Sequence, residues 1–131
     1  MEKPYEYYRN NLLGGLNLLE AMRTHGCPSI IFSSTSAVYG HPTKVPVTEE
    51  ERIAPISVYG SSKRMVEEMM QWYGAIYGIR SVSLRYFNAA GAVPEHGMGE
   101  RHVPESHLIP LILGAARTGK PITFFGADYP T

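Results

Sequence analysis

Leu12, Leu13, Leu16, Leu19 and Met22 recur at the spacing of one helical face, so the pattern predicts a helix from Tyr7 to His25. Gly26 and Cys27-Pro28 stop it. Ile30, Ile31 and Phe32 then form a short β-prone run, and Ser33-Ser34-Thr35-Ser36 follows as a small polar loop, the pattern of a buried strand with a polar end. Gly40 to Ser57 contains Pro42, Pro46 and Pro55 and no helical period, which predicts a long irregular loop, and loops of that length tend to be functional. Apolar positions return at helical spacing between Ser57 and Tyr77 (Met65, Val66, Met69, Met70, Trp72, Tyr73, Ile76), and Gly78 ends that helix. Ser81 to Phe87 reads as a second strand, Asn88 to Ser106 as loop, His107 to Arg117 as a helix and Pro121 to Phe125 as a last strand. Pro110 is tolerated in the His107 helix because it falls in the first turn.

Helices alternating with short, nearly continuous apolar strands predict parallel pairing in an α/β sheet. Ligands of such sheets bind beyond the carboxyl ends of the strands. Both expected strand ends are polar there, with Ser33 to Ser36 after one and Asn88 after the other.

Composition narrows the function classes. Of the 131 residues, 44% are apolar and 18% charged, which suits a folded globular chain and excludes disorder. Twelve Lys and Arg balance twelve Asp and Glu, so no basic field favours nucleic acid or an acidic membrane surface. Cys27 is the single cysteine, which rules out an internal disulfide framework and suits a reducing compartment. With no signal-peptide pattern or membrane-length apolar run, the expected setting is the cytoplasm. The five histidines do not fall at the spacing of a known metal motif, and those between Glu100 and His107 read as loop polarity.

The feature richest in chemistry is Tyr59-Gly60-Ser61-Ser62-Lys63. Four residues apart on a helix, the phenol and the ammonium share a face. A free phenol ionises near pH 10 and is a poor base at neutrality. An ammonium roughly 4 Å from a phenol, at an effective dielectric near 20, favours the phenolate by about 4 kcal/mol. The hydroxyls at the first strand end supply a donor for the same substrate oxygen.

A hydroxyl, a tyrosine and a lysine in that order are the working set of the short-chain dehydrogenase/reductase superfamily. Phe32 to Gly40 (FSSTSAVYG), Ser57 to Lys63 (SVYGSSK) and Arg85 to Ala92 (RYFNAAGA) resemble its extended branch. Gly99-Glu100-Arg101-His102, Pro104 to Pro110 (PESHLIP) and Phe125 to Thr131 (FGADYPT) make the whole chain similar to UDP-glucose 4-epimerases. The resemblance implies that Thr35, Tyr59 and Lys63 are catalytic: Thr35 hydrogen-bonds the sugar 4-hydroxyl, Tyr59 takes its proton, and Lys63 binds the nicotinamide ribose and acidifies the phenol. It implies NAD contacts at Asn10 and Phe87 as well as at the catalytic three. A UDP-sugar pocket would be lined by Thr35, Tyr59, Asn88, His107, Leu108, Thr123, Phe124 and Phe125. His107 departs from the asparagine often found at its position.

Rival chemistries of the branch lack a group here. Dehydratases of the branch carry an Asp-Glu pair after the threonine, where this chain has Ser36-Ala37, and decarboxylases place a Glu where Ala37 stands. The expectation is therefore an α/β protein: 1–88 as the second part of a Rossmann-like parallel sheet, 89–131 as the start of a UDP-sugar-binding domain. Its implied activity is NAD-dependent C4 epimerisation of a UDP-hexose through a 4-keto intermediate. Another NAD-dependent nucleotide-sugar epimerase of the branch, or a non-catalytic truncated fragment, are the alternatives. The glycine-rich turn that holds NAD pyrophosphate has no counterpart, since Gly14-Gly15 lies inside a helical pattern, so the chain reads as an internal portion. The Met65 to Trp72 face is the expected homodimer surface, and the isolated chain is expected to bind NAD poorly and to aggregate.

Overall fold

The computed structural model describes residues 3–100, 102–123, 126 and 128. They fall into two compact units, Met1–Phe87 and Asn88–Thr131.

The first unit opens with α1 (Pro4–Tyr7), which runs through a π-helical stretch (Tyr8–Leu13) into α2 (Gly14–His25). The expected helix thus begins three residues earlier and contains a wider turn, a feature common where helices carry functional groups. Gly26 ends α2 at φ 67°, a left-handed conformation that costs glycine nothing. Next come β1 (Ser29–Thr35), a 3-10 turn (Ser36–Val38), α3 (Val58–Tyr77) and β2 (Arg80–Tyr86). β1 and β2 pair in parallel, from Ser29 beside Arg80 to Thr35 beside Tyr86. The parallel α/β expectation is therefore met.

One expectation needs correcting: Ser33, Ser34 and Thr35 are strand, not loop. A strand continues past its apolar run when a neighbour accepts its ladder hydrogen bonds, and β2 does so here up to Tyr86.

Alternation sorts the sheet into two faces. Ile30 and Phe32 pack onto a core of Leu19, Met22, Met70 and Ile79. Ile31 (73% exposed), its neighbour Val82 and Leu84 lie on the other face. The stretch between the 3-10 turn and α3 holds no helix or strand, as its prolines predict, and the Ala54 N–H returns to the Val38 carbonyl at 3.0 Å.

In the second unit, Val93 and Met98 form an antiparallel bridge around a 3-10 turn (Pro94–His96). α4 (Leu108–Thr118) follows, with Pro110 inside its first turn. Pro121 to Thr123 form no strand, contrary to the periodicity; an apolar run becomes a strand only where a partner supplies the ladder. Phe124 and Phe125 lie outside the described residues. Among the described residues no helix is long and apolar enough to cross a membrane.

Candidate active site

Three of the predicted residues lie on elements that converge at the carboxyl end of β1. Thr35 is the last strand residue and is 9% exposed; its Oγ1 accepts the Ala37 N–H at 3.2 Å and caps the 3-10 turn. That turn packs on the start of α3. A Cβ on Gly60 would stand 2.5 Å from the Ala37 carbonyl oxygen, so only glycine lets helix and turn approach this closely. Ser57 caps α3, its Oγ accepting the Gly60 N–H at 3.0 Å. Tyr59 therefore stands in the first turn of α3 beside the strand end. Its phenol is partly exposed and meets the Tyr7 ring edge-on at 6.1 Å.

Lys63 lies one turn further on. Its ammonium donates to the Ser33 carbonyl at 3.0 Å and sits 4.9 Å from the Phe32 ring centre and 5.8 Å from that of Tyr59. The helical spacing does bring ammonium and tyrosine together, and the strand carbonyl and Phe32 hold the ammonium in place. Burial pushes the Lys63 pKa below that of an ordinary lysine. An ammonium has three donors and Ser33 uses one, so two remain for a ligand's hydroxyl oxygens.

Asn10 is exposed, and the neighbouring Asn11 ties the π-helical stretch to α3, donating to Ser62 Oγ at 2.9 Å. Phe87 is 61% exposed and lines an open cleft of about 450 Å³ with Tyr39, Thr48, Glu49 and Arg85. None of Thr35, Tyr59 or Lys63 lines that cleft, so it is separate from the strand-end cluster. In the second unit, Asn88, Leu108 and Thr123 are exposed, and His107 immediately precedes α4 with its ring beside Glu100 and Glu105.

Sequence reasoning missed the buried polar group that supports the site. Glu67, 3% exposed, accepts from Ser34 Oγ (2.6 Å) and, through both oxygens, from Arg85 (3.0 and 2.8 Å). Arg85 also donates to the Tyr39 hydroxyl at 2.9 Å. Burial alone would raise the Glu67 pKa; hydrogen bonds from Arg85 and Ser34 and the charges of Arg85 and Arg64 outweigh it and hold the carboxyl below its ordinary value. One charge-bearing clamp thus fixes the residue before Thr35, the helix that carries Tyr59 and Lys63, and β2. Glu67 sits four residues after Lys63, the one signal in the sequence that placed it on the same helical face.

Residues 1–130 match the model of the NAD dependent epimerase/dehydratase family. The chain belongs to this family. It is 48% identical over 132 residues to a UDP-glucose 4-epimerase of Streptococcus mutans, covering 100% of this chain and 40% of that protein. The corresponding enzyme of Lacticaseibacillus casei is 46% identical at the same coverage. A crystal structure of UDP-glucose 4-epimerase from Brucella ovis in complex with NAD superposes with a TM-score of 0.89 at 44% identity, over 99% of this chain and 40% of that one. The chain thus spans about 40% of the length of the relatives it matches.

Proposed function

We propose that the protein containing this chain epimerises C4 of a UDP-hexose, interconverting UDP-glucose and UDP-galactose, with NAD as its cofactor. The observation that supports this reading is the placement of Thr35 at the end of a parallel strand, with the Lys63 ammonium on the Ser33 carbonyl of that strand and 5.8 Å from the Tyr59 ring, in a chain of this family. NAD, when bound, supplies reversible removal of hydride from the sugar carbon. The chain's own residues do the rest. Thr35 orients the 4-hydroxyl, and Tyr59 takes its proton and returns it after the 4-keto sugar has turned over. Lys63 holds ribose hydroxyls with its two remaining donors. Asn10 and Phe87 complete the cofactor side. Asn88, His107, Leu108, Thr123, Phe124 and Phe125 belong to the sugar-nucleotide side, so 1–88 serves the cofactor and 89–131 the substrate. The protein works as a homodimer through the α3 face bearing Met65 and Trp72, both exposed in this chain.

Grafting the 131 residues into the matching segment of the Streptococcus mutans relative tests the reading. The graft is expected to convert UDP-galactose, and Tyr59→Phe to slow it about 10²- to 10⁴-fold while NAD still binds. A graft that binds NAD but turns over equally well with Tyr59→Phe would refute the assignment. A preference for UDP-N-acetylglucosamine would favour the N-acetyl-sugar epimerase alternative.

A further inference from the structure

The second unit gathers a group of side chains of which the proposed function uses only His107. Glu100 Oε1 lies 2.8 Å from His102 Nδ1 and 3.0 Å from His107 Nδ1. The two imidazole rings meet edge-on, 4.6 Å between centres. Glu105 Oε1 lies 3.1 Å from His107 Nδ1 and also accepts the backbone N–H groups of Ser106 and His107 at 2.8 Å. These backbone bonds fix the Glu105 carboxylate beside the His107 ring.

We propose that Glu100, His102 and His107 bind one divalent transition-metal ion of the zinc class. Their ligand atoms lie within 4.8 Å of one another. Tetrahedral bonds of roughly 2.0–2.2 Å place neighbouring ligand atoms about 3.3–3.6 Å apart, so the Glu100–histidine separations of 2.8 and 3.0 Å would open by roughly 0.3–0.8 Å on binding. Two neutral imidazoles and a carboxylate are the donor set that zinc, cobalt and nickel favour over magnesium or calcium. Three protein ligands leave a fourth position for water. Metal on Nδ1 leaves the His107 Nε2–H available, so the site is compatible with a role in the sugar pocket. The supports are local: Glu100 follows the Val93–Met98 bridge, and His107 opens α4.

Isothermal titration of zinc chloride into the 131-residue chain tests the proposal, with visible absorption of the cobalt complex reporting coordination. One ion per chain is expected. His102→Ala and Glu100→Gln should each weaken binding on the order of tenfold to a hundredfold, with the far-UV helical signal intact. His41→Ala, in the first unit, should change nothing. No saturable binding, or the same affinity in His102→Ala and Glu100→Gln, overturns the site.

Discussion

Glu67 is the residue on which most of the strand-end cluster leans. It is buried, paired with Arg85 and bonded to Ser34. Removing one partner of such a pair leaves the other charge buried, a loss of about 3–5 kcal/mol. Glu67→Gln is therefore expected to unfold in markedly less urea at pH 7. The pH dependence follows from the lowered carboxyl. Its contribution is fully present above the unfolded value near 4.5 and is lost as pH falls through the lower folded value. The gap between native protein and Glu67→Gln should narrow as pH falls below 4.5, read from unfolding midpoints at successive pH values. A constant gap down to pH 3 would place the stabilisation elsewhere.

At the scale of elements, α3 and the α1–α2 segment respond oppositely to the same substitution. Alanine in place of a helix glycine ordinarily gains about 0.8–1 kcal/mol. Gly14 has open space where its Cβ would be, so Gly14→Ala should raise the urea midpoint. Gly60→Ala should lower it, because the new Cβ would meet the Ala37 carbonyl oxygen at 2.5 Å and prise α3 from the 3-10 turn. Ser57→Ala should cost about 1 kcal/mol through the lost bond to the Gly60 N–H. The sign of the Gly60 change is the sharper test, since propensity alone predicts the reverse. The α4 span was legible to within a residue at each end, with Pro110 in its first turn as expected, whereas Pro121 to Thr123 form no strand because apolar character alone supplies no pairing partner.

Across the whole chain, large apolar side chains remain in water on the β-sheet (Ile31, Val82, Leu84) and on α3 (Trp72, Ile76). Such surface drives self-association. The 131-residue chain should therefore sediment with a mass that rises with concentration, and emission from Trp72, its single tryptophan, should shift to the blue as it does. Trp72→Ala should shift that association to higher concentration if α3 mediates it, while Ile31→Lys should do so if the open sheet face does.

Periodicity and punctuation along the chain determined the long helices, the two parallel strands and the membership of Tyr59 and Lys63 in one helical face, because each depends on residues a few positions apart. The extra strand residues at Ser33 to Thr35, the clamp of Glu67 on Arg85 and Ser34, and the meeting of Glu100 with His102 and His107 were decided only by the tertiary structure. A side chain's partner across a turn or a crossover depends on how the backbone returns. Burial then fixes what that pairing does to charge.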